Sequence, residues 1–112
     1  MKFGAWYPLA DAARHAPRAP GVFQVRLAEG LLDYPRGKSA MLHYAAADDV
    51  AAAAVAFAAA HPGAPWWCRH TVEPEALIAA EARALADRLV RDFRVRFGEA
   101  PALPPGLEVA TP

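Results

Sequence analysis

Several groups of residues in this chain have side chains and spacings with chemical potential. Gly37-Lys38-Ser39 has the ending of a phosphate loop. Such a loop needs an earlier glycine so that backbone amides can cradle phosphate, and Leu32 stands in that place. The string therefore reads as a hairpin turn with an exposed lysine, and Lys38 is kept as a binding candidate. Cys68 and His70 fall on one face of a strand, with His43 and His61 elsewhere in the chain. They supply ligand atoms without a recognised metal-ligand spacing. A thiol and an imidazole in next-but-one positions on a strand seldom align for nucleophilic catalysis, so Cys68 reads as a small buried residue.

Trp66-Trp67 beside Arg69 and His70 has the makings of a surface on which bases stack. Adjacent strand residues point to opposite faces, so one indole is expected in the core and the other at a rim. Trp67 and Arg69 are the binding candidates of this group. Arg83, Arg88, Arg91, Arg94 and Arg96 form the best basic series, but Glu81, Asp87 and Asp92 interrupt it. That pattern is a solvated helix face with local ion pairs.

Composition narrows the classes. A chain of 112 residues is sized for one domain with one core. Twelve Lys and Arg balance twelve Asp and Glu, giving zero formal net charge. Nucleic-acid binding draws much of its affinity from cations on phosphates, so the balance counts against it, although a local basic face is compatible with neutrality. One cysteine excludes an internal disulfide and a Cys-rich zinc site. The N-terminus has no basic-then-apolar signal pattern, and the apolar run from Val50 to Ala60 is too short to span a bilayer. The expectation is a cytoplasmic protein without membrane association.

The elements that must position these residues follow from periodicity. A short helical turn is expected over Leu9–Arg14, closed by Pro17 and Pro20. From Gly21 to Leu27 the residues alternate, with Phe23, Val25 and Leu27 on one face and Val22, Gln24 and Arg26 on the other. Leu31–Tyr34 and Ala40–Ala45 read as further short strands of a meander, with Leu42 and Tyr44 sharing a face opposite Met41 and His43. Asp48-Asp49 caps a helix running to Ala60, with Val50, Ala54 and Phe57 inward. Trp66 to Val72 returns to the sheet. Glu73-Pro74-Glu75 opens the longest helix, whose stripe is Ile78, Ala82, Leu85, Leu89 and Phe93, with Gly98 as terminator. A Pro-rich irregular tail covers about 101–112. The sum is one α/β (α+β) domain over 1–112: a small, mainly antiparallel three-stranded sheet flanked by helices.

Local strings in this order resemble the GIY-YIG nuclease domain. Ala19-Pro20-Gly21-Val22-Phe23-Gln24-Val25-Arg26 is similar to that family's first strand, and Lys38-Ser39-Ala40-Met41-Leu42-His43-Tyr44-Ala45-Ala46 falls where its second signature belongs. The stretch from Glu75 through Glu81 to Gly98 resembles its later helix. The resemblance spans about residues 8–105 and implies a metal-dependent phosphodiesterase. In that chemistry a tyrosine helps activate water, a carboxylate holds one divalent cation, and an arginine neutralises developing charge. It assigns Tyr44 to the second-signature tyrosine and Glu81, or alternatively Glu75, to the metal.

The chain departs from the pattern at most points. Phe23 occupies the first-signature tyrosine position, Ala46 the glycine, and Val50-Ala51-Ala52-Ala53-Ala54-Val55 the region of the arginine; the sequence has no asparagine. The expectation is a degenerate GIY-YIG-like domain without efficient hydrolysis, acting as a binding or interaction module and needing no cofactor. The alternative is an endonuclease using Mg or Mn, in which Tyr34 or His43 substitutes as base. Nucleic acid, and a second copy packed on the Trp-bearing surface, are the partners to consider.

Overall fold

The computed structural model describes residues 2–72 and 77–103. Its first strand, β1 (Tyr7–Pro8), runs into a 3-10 turn at Leu9–Asp11 and a single helical turn, α1 (Ala12–His15). Ala16, before Pro17, is extended at φ −78° and ψ 138°, and the chain bends from there to Pro20. Strand β2 (Gly21–Leu27) follows, then a small hairpin of β3 (Leu32–Tyr34) and β4 (Gly37–Ser39), then β5 (Met41–Ala47). Helix α2 (Val50–Ala60), strand β6 (Trp66–His70) and helix α3 (Ala79–Phe97) complete the order.

The main sheet is antiparallel, with order β1-β6-β2-β5. The expected three strands are therefore present as β6, β2 and β5, and the lead-in adds a fourth. Leu32–Tyr34 is a strand as expected, but it pairs with β4 in a separate two-stranded ribbon. No described helix is long and apolar enough to cross a membrane.

Each face of the sheet has its own cover. Phe23 and Val25 lie under α2 in a core that includes Leu9, Leu42, Val50, Ala54, Trp66 and Cys68. On the other face Val22 packs with Ala82, Leu85 and Ala86 of α3. The alternation along β2 thus holds as read. Along β5 it does not, because the register shifts between Val25 and Arg26. Met41 stands opposite Arg26 and His43 opposite Val25, leaving Leu42 as the extra residue of a bulge. Leu42 consequently joins the α2-side core, and Tyr44, opposite Gln24, faces the other way.

Helix α2 starts as its acids suggested: Asp49 accepts the Ala52 N–H at 3.0 Å. Its next orphan donors reach backwards along the chain, Val50 N–H to Ala19 O at 3.0 Å and Ala51 N–H to Pro17 O at 2.9 Å. Gly21 permits this closeness. A Cβ there would lie 2.7 Å from Thr71 Oγ1, which accepts the Val22 N–H, and 3.1 Å from Val50.

Helix α3 starts later than expected. Glu73, Pro74 and Glu75 lie outside the described residues, and Ile78 is extended, with φ −84° and ψ 163°. The first helical residue is Ala79, and Ile78 is 63% exposed, so it drops out of the apolar stripe. Ala82, Leu85 and Phe93 are buried as expected, and Ala86 joins them. Gly98 ends the helix at φ 94°, a left-handed conformation glycine adopts without penalty.

Candidate functional site

A polar row crosses the α3-side face of the sheet. Tyr44 on β5, Gln24 on β2 and Arg69 on β6 are direct cross-strand partners. Gln24 is the buried polar side chain among the core residues, at 2% exposure, and its Oε1 accepts the Arg69 Nε–H at 2.6 Å. A buried amide without such a partner would cost about 1–3 kcal/mol, so the row is anchored rather than tolerated.

Arg69 also stacks on aromatic rings supplied by the lead-in. Its Cζ is 4.4 Å from the Trp6 ring centroid and 4.9 Å from that of Phe3. The Cζ of Arg26 is 4.3 Å from the same Trp6 ring. Opposite Arg26 on β6 stands Trp67, half-buried. Among the described residues neither guanidinium pairs with a carboxylate, and the buried Arg26 Nε has no hydrogen-bond partner. Burial lowers the Arg69 pKa; Tyr44 opposes that shift and Arg26 adds to it. The result is a fixed cationic and aromatic surface on the part of the sheet toward β6.

The sequence-derived candidates distribute unevenly around this surface. Tyr44 and Tyr34 come together on the α3 side, their rings 6.1 and 4.9 Å from that of Phe93. Tyr34 donates to Met41 O at 2.7 Å and accepts the Ala102 N–H at 3.2 Å, which ties the hairpin to the chain beyond α3. Burial is the first cause that raises the pKa of both phenols, the wrong direction for a phenolate base. His43 lies on the opposite face, stacked on Phe57 at 4.6 Å, and does not meet the tyrosines. Phe23 is beside it, 5.7 Å from His43 and also turned away from Tyr44.

Glu81 is exposed in the first turn of α3, where it accepts the Ile78 N–H at 3.1 Å and caps its own helix. Phe93 marks the Tyr44 end, about 18 Å further along the axis at 1.5 Å per residue. Glu81 and Tyr44 therefore do not converge. The alternative, Glu75, lies outside the described residues. Lys38 is exposed and bonds Asp33 at 2.8 Å across the β3–β4 hairpin, the structural role its turn context suggested. Among the described residues no cluster of His, Cys, Asp and Glu is arranged to hold a metal ion.

A second arrangement lies on the α2 side. The Cys68 thiol approaches Tyr7 Oη at 3.6 Å, and that hydroxyl bonds His70 Nδ1 at 2.9 Å. His15 stacks on Tyr7 at 4.6 Å, and a cavity of about 240 Å³ opens among His15, His70, Tyr7 and Trp6. Cys68 is fully buried, and desolvation pushes its pKa up to about 11. At pH 8 only about one thiol in a thousand is then ionised. Reaction of the native protein with a disulfide reagent should accordingly run at least 100-fold slower than in denaturant, read from the released thiolate chromophore.

Burial also lowers the pKa of His43 and His70 below the ordinary 6.5, with His61 and His15 adding repulsion. Both rings are native in the neutral form. Their contribution to stability is complete above about pH 6.5 and is lost as pH falls through the lowered folded values. Urea midpoints should therefore decline between pH 7.5 and 5, and replacing His43 with glutamine should flatten that decline.

Trp6, Gln24 and Arg26 were not singled out from the sequence. The signal for two of them was present: Gln24 and Arg26 are polar residues alternating with apolar ones in what proves a central strand. Nothing local marked Trp6, because its place depends on β1 pairing with β6 across the length of the chain. The chain matches no protein-family model, and neither a curated protein nor a solved structure matches it.

Proposed function

We propose that this chain is a cytoplasmic, non-catalytic binding module on a GIY-YIG-like scaffold, with Trp6, Trp67, Arg26 and Arg69 as its contact surface. The observation that carries the reading is the Arg69 guanidinium, held by buried Gln24 and stacked on Trp6 without a carboxylate partner among the described residues. Fixing a cation so firmly costs desolvation, and a surface that then meets an anion or a ring recovers it. Against hydrolysis stand the separation of Tyr44 from Glu81, the raised phenol pKa values and the absence of a hydroxyl on Phe23.

Plasmid and branched DNA incubated with the protein and Mg or Mn should remain intact. The enzyme alternative requires cutting that disappears in Glu81→Gln, a variant that keeps an oxygen for the Ile78 N–H but loses the anionic ligand. Glu81→Ala removes both, and should lower the helix's contribution to stability by about 0.5–1 kcal/mol in chemical denaturation. Metal-dependent cleavage abolished in Glu81→Gln, with the thermal midpoint unchanged, would reverse the proposal.

A further inference from the structure

Two guanidiniums share one indole on this surface, and their chemistry goes beyond a generic cationic patch. Stacking uses the flat face of a guanidinium and leaves its N–H edge free for acceptors lying in its plane. Arg69 spends its Nε–H on Gln24 and the Arg26 Nε–H is buried without a described acceptor, so the terminal nitrogens of each guanidinium are the donors left for a ligand. Because both Cζ atoms lie within 4.4 Å of the Trp6 centroid, the two charges fall within about a Debye length, 8–10 Å, of each other. Each therefore raises the cost of the other. One acidic side chain would neutralise only one of them.

We infer that Arg26 and Arg69 form a site for a terminal phosphate, a phosphomonoester dianion, clasped beside the rim of Trp6. A tetrahedral oxyanion presents oxygens in divergent directions, so two guanidiniums flanking one ring can each take a pair at the short charge-assisted distance of about 2.7–2.9 Å. Its double charge matches the two cations. A carboxylate or a phosphodiester carries a single charge and leaves one guanidinium uncompensated. Trp67, opposite Arg26, supplies a half-exposed ring next to the site for the group that bears the phosphate. The inference rests on the reading of this face as the contact surface, and it names the ligand class.

The test is titration with inorganic phosphate at constant ionic strength, followed by the arginine Nε–H resonances and by tryptophan fluorescence. The expected result is saturable binding that strengthens as the pH rises from 5.5 to 8 and the anion takes its second charge. Dimethyl phosphate, a single-charge diester, should bind roughly tenfold more weakly. Arg26→Gln and Arg69→Gln should each weaken phosphate binding by roughly tenfold or more. Because Arg69→Gln also disturbs buried Gln24, Arg26→Gln is the decisive variant, checked for an unchanged circular dichroism spectrum. A nucleoside monophosphate binding more tightly than inorganic phosphate, with the gain lost in Trp67→Ala, supports the role given to the second indole. No saturable response, an equal response to dimethyl phosphate, or full binding by folded Arg26→Gln overturns the site. DNA cleavage would overturn the non-catalytic reading alone, so the two failures are told apart.

Discussion

Trp66→Ala should remove about 3–5 kcal/mol of unfolding free energy, whereas Trp67→Ala should remove about 1 kcal/mol. The residues are adjacent in β6, yet the strand's alternation sends them to opposite faces. Trp66 is 5% exposed and packs against Phe57 and His61, at 6.1 and 5.1 Å between ring centroids. Removing it leaves a cavity that the surrounding core cannot fully close. Trp67 lies half-exposed beside Arg26 and Pro8, where truncation empties no enclosed space. Urea denaturation of the pair checks the contrast. Equal losses would mean that the two indoles share the work of holding the sheet. The same pair separates stability from binding, since only the Trp67 variant should alter contact with a ligand while the fold persists.

Phe23→Tyr is the second large effect. It supplies the hydroxyl that a nuclease of the proposed GIY-YIG type would need at this position, so a hydrolytic reading expects a gain of function. The site argues otherwise. Phe23 is 2% exposed, edge-on to Phe57 at 6.3 Å and beside His43. An added oxygen meets close-packed neighbours, and overpacking alone costs about 1–3 kcal/mol. An unpaired buried hydroxyl costs a similar amount. Together the expected loss is about 2–6 kcal/mol, with no DNA cleavage in Mg or Mn. A variant that is as stable as the parent and cuts DNA would show that the pocket under α2 has both room and chemistry.

The sequence made local features readable because local physics decides them. Asp49 caps α2, Gly98 stops α3, and β2 alternates as its residue types require. What escaped was non-local. The bulge at Leu42 exists only because β5 must register against β2, so strict alternation put Leu42 on the wrong face. The start of α3 was misplaced because Pro74 suits a first helical turn, while the chain at Ile78 is still extended. Candidate site residues fared likewise. Arg69 and Trp67 were visible from composition and do lie on one surface, but their anchors Gln24, Arg26 and Trp6 come from β2 and the lead-in. Tyr34 and Tyr44 do meet, around Phe93. His43, the other substitute base, lies on the face opposite Tyr44, where the strand's alternation had already put it.

The clasp between the proline lead-in and α2 bears on the order in which the chain assembles. An alanine-rich helix of 11 residues is barely stable alone in water. Its first amides find their acceptors in carbonyls roughly thirty positions earlier, a closure whose entropic cost grows only logarithmically with span. Consolidation of that helix thus waits until the β2–β5 ribbon has brought both ends of the loop together. Deuterium uptake at Val50 and Ala51 would then track detachment of the N-terminal arm, a sub-global opening, rather than simple end-fraying.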